Sequence, residues 1–311
     1  MDTDLIILGG GPAGLTAAMY AARAGVPLLI FEKAVPGGQM AATETVCNYP
    51  GFPEPILGID LAQKMEAHAK SFGVEIVQAD IRKISKTADG FSLTEDGGLS
   101  HNCRVLILAT GASPVRLGIP GELEFAGRGV SYCAICDGPF FRDVEIAVVG
   151  GGDSAAEEAV YLSRFATKVH LIHRRDRLRA CKEIQEKVLA EPKILVHWNR
   201  IPVAIQGGNG VTTLKIRSVA DGVEEDLPVE GVFFYVGLYP NHVDGILELV
   251  ETDSRGFIIT DTRLACATPG LFAAGDIRSK ELRQVSTAVG DGASAAHSAQ
   301  LYLEGLPTKS A

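Results

Sequence analysis

Residues 4–14 read DLIILGGGPAG, and residues 145–155 read EIAVVGGGDSA. The second stretch repeats the first 141 residues later, counting from Gly9 to Gly150. In both, an apolar β-rich run (Leu5–Leu8; Ile146–Val149) meets three glycines and then a segment of small residues. The periodicity predicts helices over roughly 12–24 and 153–165. Each leads on to a second strand, Pro27–Phe31 and Lys168–His173. A strand–turn–helix–strand unit of this kind begins a doubly wound parallel sheet, so the chain belongs to the α/β class.

Glycine has a steric cause at these positions. Gly9 and Gly150 permit the tight turn after the strand. Gly11 and Gly152 let the backbone approach a pyrophosphate with no Cβ in the way, and the small third residue, Gly14 or Ala155, lets the helix lie close on the strand. The helix N-terminus, opening at Pro12 or Asp153, then offers free N–H groups to the phosphates. One such turn would suit an ordinary loop. Two copies in the same context, a domain's length apart, point to two dinucleotide sites.

The ends of the second strands distinguish the two sites. The first ends LLIFEK, which places Glu32 where a carboxylate takes both hydroxyls of an adenosine ribose. The second, HLIHRRDRLRA at 170–180, has His173 at that position, followed by Arg174, Arg175 and Arg179. Guanidiniums there suit a 2′-phosphate, which arginine binds bidentately, while a solvated basic turn is the plainer alternative.

Between the copies lies YCAICDGPF, residues 132–140. Cys133 and Cys136 could be half a zinc site, a structural bridge or a redox dithiol. A zinc site needs about four ligands. The other cysteines, Cys47, Cys103, Cys181 and Cys266, stand alone, and no paired histidines complete a set, so no metal is expected. Each lone cysteine reads most simply as a small buried hydrophobe. Asp137 can act as an acid beside the dithiol or can begin an ordinary Asp-Gly turn.

The 311 residues allow two domains, and 46% hydrophobic with 22% charged residues is a globular balance. A net charge of −9 argues against nucleic acid or an anionic membrane as partner. The acidic start MDTDLIIL and the lack of any long apolar run predict a cytoplasmic protein without a membrane span. Residues 106–111, LILATG, form another buried strand, and ASPVRLGIPG after them reads as a linker, as does YPNHVDG at 239–245. The tail carries LFAAGDI at 271–277, a strand ending in Gly275-Asp276, and then a helix that starts at Gln284–Val285. This tail completes the first domain, making it discontinuous around an inserted second one.

With GGGPAG, PGGQM, ATGASP, CAICDG, GGGDSAAEEA, HRRDRLRA, AAGDI and RQV in this order, nearly the whole chain resembles the low-molecular-weight bacterial thioredoxin reductases. The resemblance implies two Rossmann-like domains: an FAD domain at 1–115 and 244–311, and an NADPH domain at 116–243 carrying the dithiol. It implies flavin contacts from Gly9, Gly11, Pro12, Ala13, Gly14, Glu32, Gly38, Gln39, Asn48, Gly275, Asp276, Arg283, Gln284 and Val285. It implies NADPH contacts from Gly152, Ser154, Ala155, His173, Arg174, Arg175 and Arg179. Cys133 and Cys136 match the redox pair and Asp137 the acid–base residue, in a homodimer that reduces thioredoxin. Ile135 departs from the motif, which more often has Thr there. Domain rotation would let the dithiol meet first the flavin and then an external disulfide. The alternatives are a flavoprotein serving another small redox protein or a peroxide-reducing system, and a dinucleotide sensor without turnover. A sensor would need neither the dithiol nor Asp137.

Overall fold

The computed structural model describes residues 2–43, 45–46 and 48–306. They divide into two compact units, Met1–Ser113 with Tyr239–Ala311, and Pro114–Leu238. Among the described residues no helix is long and apolar enough to cross a membrane.

The first unit begins with β1 (Asp2–Leu8), whose apolar core Leu5–Leu8 is at most 6% exposed. Helix α1 (Pro12–Arg23) starts with proline in its first turn, where a missing N–H costs nothing, and stops before Gly25 at φ +75°. The elements that follow are β2 (Leu28–Glu32), α2 (Gly38–Ala41), β3 (Thr45–Val46), β4 (Ile56–Leu57), α3 (Gly58–Lys70) and β5 (Ile76–Gln78). Then come β6 (Ile81–Lys86), β7 (Phe91–Glu95), β8 (Ser100–Leu108) and β9 (Ala112–Pro114).

In the second unit β10 (Val130–Ser131) precedes a short helix, α4 (Ala134–Asp137). The repeat follows as β11 (Glu145–Gly150), α5 (Asp153–Leu162) and β12 (Lys168–His173). Helix α6 (Lys182–Ala190) and β13 (Ile194–Trp198) come next. The unit closes with β14 (Arg200–Gly207), β15 (Val211–Ser218), β16 (Glu224–Pro228) and β17 (Gly231–Tyr235). The chain then returns through β18 (Leu238–Pro240) to β19 (Leu271–Ala273) and α7 (Val285–Glu304).

Both central sheets are parallel. In the first unit β5, β2, β1 and β8 lie side by side, and β19 pairs with the C-terminal half of β8. The N-terminal half of β8 instead continues into the antiparallel pairs β8–β7 and β7–β6. The second unit has the order β13-β12-β11-β17-β10, all parallel. The repeat extends to register: Leu8 faces Phe31 and, 141 residues on, Val149 faces Ile172. Neither the β6–β7–β8 meander nor the antiparallel β14–β15–β16 sheet is visible in the sequence reading.

Each sheet is covered on two faces. In the first unit Ala13, Ala17, Ala18 and Ala21 of α1 meet Ala288, Ala295, Ala296 and Ala299 of α7 in one core cluster. A Cβ on Gly292 would strike the Ala13 carbonyl, so this glycine sets how closely α7 lies on α1. The other face buries Phe31, Phe91, Leu93 and Leu106. In the second unit α5 and α6 cover one face with Ala155, Ala159, Leu162 and Val188, and the antiparallel sheet covers the other with Leu214, Ile216 and Leu227. Full burial of a side chain such as Phe31 stabilises by about 1.5–3 kcal/mol.

The segments named as linkers are ordered within the units. Asn241 N donates to Gly111 O at 3.0 Å, its Nδ2 donates to Thr110 O at 2.9 Å, and Ser113 Oγ donates to Asn241 Oδ1 at 3.0 Å. In the second unit Val115 N donates to Gly237 O at 2.9 Å.

Candidate active site

In the first unit the predicted residues gather at the carboxyl ends of the strands. Gly9 is at φ +109°, and a Cβ there would run into the Ala109 carbonyl. A Cβ on Gly14 would fall on the Gly9 carbonyl, so α1 can follow β1 this closely only with glycine there. Gly11, the N-cap, faces open space, and Pro12 and the buried Ala13 open the helix beyond it. Gly38, at φ +55°, stands against Gly11, and Gln39 after it is exposed.

Glu32 has a local task that the sequence reading missed. Its Oε2 accepts from Gly10 N at 2.7 Å and its Oε1 from Ala34 N at 2.9 Å. The carboxylate thus ties the glycine turn to the strand that follows, and each oxygen keeps acceptor capacity for a hydroxyl. Gly37 N closes the cradle by donating to Gly10 O at 2.8 Å.

Asn48 and Gln284, 236 residues apart, are joined by a 3.1 Å bond from Asn48 Nδ2 to Gln284 Oε1. Gln284 caps α7, and Val285 packs on the small cluster around Met40 and Leu61. Arg283 lies 4.0 Å over the Phe257 ring and donates to the carbonyls of Asp276, Lys280 and Arg278 at 3.3, 3.0 and 2.9 Å. Its guanidinium therefore braces the loop after β19. Gly275, at φ +77°, donates its N–H to Asp291 Oδ2 at 3.0 Å, an aspartate that also pairs with Arg278 and Lys280. No sequence motif marks Asp291 for this part.

Asp276 is the informative residue. Its Oδ1 is buried with no hydrogen-bond partner among the described residues, and the Lys280 ammonium stands 3.9 Å away. Burial pushes this carboxyl above its ordinary range despite the nearby Lys280 and Arg283. A buried orphan acceptor at the end of a parallel strand calls for a donor from outside the chain. A flavin's ribityl chain, rich in hydroxyls, fits that requirement and the open glycine turn together.

The second unit repeats the cradle with different side chains. A Cβ on Gly150 would meet Ala155, which is itself fully buried. His173 lies against Gly151 as Glu32 lies against Gly10, and its Nε2 donates to Arg177 O at 2.9 Å. Burial pushes this imidazole below its ordinary range, so it is neutral at pH 7. Arg179 N donates to Gly151 O at 2.6 Å, and its guanidinium stands 4.0 Å from where a Gly152 Cβ would lie. Ser154, in the first turn of α5, is exposed, as are Arg174, Arg175 and Arg179.

Cys133 and Cys136 are bonded to each other, with Cα atoms 5.3 Å apart. Cys133 is the N-cap of α4, and its Sγ accepts from Cys136 N at 3.2 Å. Asp137 ends the helix, and Gly138 follows with helical dihedrals (φ −49°, ψ −42°). The plain Asp-Gly turn is therefore absent. Asp137 Oδ2 accepts from Ser131 Oγ at 2.5 Å, and the Tyr235 hydroxyl accepts from Ala134 N. Ser131 and Tyr235 were not found from sequence: Ser131 adjoins the cysteine motif but belongs to no pattern of its own, and nothing near Tyr235 along the chain flags it. The lone cysteines divide: Cys103 and Cys266 are buried, with burial pushing both thiols up to about 12. Cys181 is exposed at the start of α6, contrary to the expectation of a buried hydrophobe, because it caps a surface helix. Cys47 lies outside the described residues.

Comparison with known proteins agrees with this arrangement. The family model described as pyridine nucleotide-disulphide oxidoreductase matches residues 3–292. The thioredoxin reductase of Listeria innocua is 49% identical over 97% of this chain and 94% of its own. That of Bacillus subtilis is 46% identical over 97% and 95%. The crystal structure of the Streptococcus pyogenes thioredoxin reductase superimposes with a TM-score of 0.92 at 45% identity, covering 98% of this chain and 99% of that one. Two glycine cradles, a bonded Cys-x-x-Cys and this match over nearly the full length place the chain in the pyridine nucleotide-disulphide oxidoreductase family, among its thioredoxin reductase members, with a flavin and a pyridine nucleotide as its cofactors.

Proposed function

We propose that the chain is an NADPH-dependent thioredoxin reductase whose first unit holds FAD and whose second holds NADPH. The observation that carries this reading is the Cys133–Cys136 disulfide, with Asp137 in the same short helix, beside a nucleotide cradle. Bound FAD would supply the two-electron carrier between NADPH and that disulfide.

The chain's own residues do the rest. Gly9, Gly11, Pro12, Ala13 and Gly14 would seat the FAD pyrophosphate and Glu32 its ribose. Asp276 would take a ribityl hydroxyl, with Gly38, Gln39, Asn48, Gly275, Arg283, Gln284 and Val285 around the flavin. In the second unit Gly152, Ser154 and Ala155 would seat the NADPH pyrophosphate. His173 stays neutral and leaves the 2′-phosphate to Arg174, Arg175 and Arg179.

Once reduced, the Cys133 thiolate attacks the disulfide of thioredoxin, forming a mixed disulfide and releasing one partner thiolate. Cys136 then displaces the partner and re-forms the internal bond, so two electrons leave with the partner as its dithiol. Asp137 supplies a proton to the departing thiolate. The homodimer implied by the family resemblance is part of the same proposal, and sedimentation velocity tests it.

The principal test is purification followed by turnover with thioredoxin. The protein is expected to be yellow, to release FAD on denaturation, and to reduce thioredoxin with NADPH. Cys133→Ser and Cys136→Ser should each abolish that turnover while hydride transfer from NADPH persists. Full thioredoxin reduction by either variant would overturn the reading.

A further inference from the structure

Strand β10 ends in Ser131, two residues before the first redox cysteine, and this serine is 4% exposed. Its Oγ accepts from Cys133 N at 3.1 Å. It lies 2.5 Å from Asp137 Oδ2 and 3.4 Å from the Cys133 carbonyl oxygen. A hydroxyl has one proton and two acceptor lone pairs. The Cys133 amide occupies one lone pair, which leaves the proton two acceptors to choose between.

While Asp137 is a carboxylate, the proton belongs on its Oδ2, the shorter and charge-assisted contact. Once Asp137 takes up a proton, its O–H can donate to the remaining lone pair of Ser131. The serine proton then turns to the Cys133 carbonyl oxygen, 3.4 Å away, which also accepts from Asp137 N at 3.1 Å. Both arrangements leave this buried hydroxyl and its three neighbours matched, so neither protonation state has to break the turn.

We infer that Ser131 is a positioning residue for Asp137, a hydroxyl rotor that follows the protonation state of the acid and couples it to the backbone of Cys133. The inference rests on reading Asp137 as the acid of the dithiol. Among the described residues Tyr132 lies within this turn, its hydroxyl donating to Glu122 Oε1 at 2.8 Å, and burial holds its phenol above the ordinary range, so it stays neutral. Tyr235 on β17 feels both Asp137 and Glu158 of α5, and burial holds its phenol well above the ordinary range, so it stays neutral. Glu158 is pushed up to about 7 by burial and by Glu157, so its titration has to be identified separately.

The experiment mixes pre-reduced holoenzyme with oxidised thioredoxin and follows the exchange rate against pH. The proteins compared are the parent, Asp137→Asn, Ser131→Ala, Ser131→Thr, Glu158→Gln and the Ser131→Ala/Asp137→Asn double variant. Asp137→Asn should remove one limb of the profile and Glu158→Gln should leave that limb in place. Ser131→Ala should move it upward by about one pH unit, since a lost donor to the carboxylate disfavours the ionised form. Ser131→Thr, which keeps the hydroxyl, should restore it, and in the Asp137→Asn background Ser131→Ala should shift nothing. Should Ser131→Ala not fold, Ser131→Cys, a weaker donor of similar shape, should give a smaller upward shift. A limb that stays put in a folded Ser131→Ala or Ser131→Cys protein overturns the rotor. So does a shift that persists without Asp137. A limb that survives Asp137→Asn overturns the acid assignment itself, and the rotor with it.

Discussion

In the first unit the strand beyond β8 is β19, which arrives late in the chain; in the second the strand beyond β17 is β10, which opens the unit's sheet. The five-strand order is the same, but the outer position is filled from opposite directions along the sequence. In each case the turn after that strand carries polar chemistry: Gly275–Asp276 after β19, and Cys133–Asp137 after β10. The carboxyl ends of parallel strands are where backbone groups and loops are free to meet a ligand. The difference teaches that the position in the sheet is reused and the residues placed there are not. A glycine cradle lies in the same unit as a buried orphan carboxylate oxygen, that of Asp276, in one case and stands beside a dithiol in the other.

The comparison breaks most sharply at the strand ends, where Glu32 in one unit corresponds to His173 and the arginines in the other. Replacing Arg174 and Arg175 with Ala should lower kcat/KM for NADPH by two to four orders of magnitude, from about 1.5–3 kcal/mol lost per charge-assisted contact. NADH turnover should change little. Steady-state kinetics with both nucleotides decides it, and equal losses would assign the arginines to something other than the phosphate.

The third small residue of the cradle is a subtler contrast. Gly14→Ala would press a methyl group into the Gly9 carbonyl, backbone that cannot swing aside, and should destabilise the protein by about 3 kcal/mol. Ala155→Gly at the corresponding place should cost only about 1 kcal/mol, the helix-propensity difference with a small loss of packing. Denaturant melts of the two variants measure both. Similar losses would mean that the two turns are not built alike.

A third contrast lies between Ala17 and Glu158, which occupy equivalent positions on α1 and α5. Ala17 is fully buried against α7, whereas Glu158 is half-buried and its carboxyl is pushed up to about 7. The folded state therefore holds this proton more tightly than the unfolded chain does. The associated stability is fully present below the usual carboxylate range and is lost as pH rises towards and through about 7. Glu158→Gln should match the parent at pH 4 and exceed it at pH 8 by less than about 1 kcal/mol, allowing for the part of the carboxylate that meets solvent. Thermal melts at the two pH values show whether the gain is confined to the higher one.

What was legible in the sequence was local. Each strand–turn–helix–strand copy occupies under thirty residues, and its glycines answer to clashes between atoms a few positions apart, such as Gly14 with Gly9. The Cys-x-x-Cys spacing places two sulfurs within one helical turn, so their pairing also lay within reach of the chain's own geometry. Of the predicted flavin contacts beyond the first cradle, Asp276 and Gln284–Val285 were marked by a strand end and a helix start, whereas Gly38, Gln39, Asn48 and Arg283 came only through the family resemblance. The antiparallel β6–β7–β8 and β14–β15–β16 strands left no motif to follow, and β10, two residues long, is too short for any periodicity.

The partners of the site were decided in three dimensions. Ser131 reaches Asp137 where the chain turns from β10 into α4, and the Tyr235 hydroxyl reaches Ala134 N from the end of β17, the strand beside β10. Asp291 holds the Gly275 amide from the second turn of α7, and Asn48 meets Gln284 across 236 residues. By itself the sequence determined the two nucleotide cradles, the α/β class and the dithiol, because turn sterics and hydrophobic period act between near neighbours. Which hydroxyl holds the acid, which carboxylate oxygen is buried with no hydrogen bond among the described residues, and which strand lies outermost in each parallel array depended on the tertiary structure. Hydrogen bonds and burial act through space, and they select among residues that look alike along the chain.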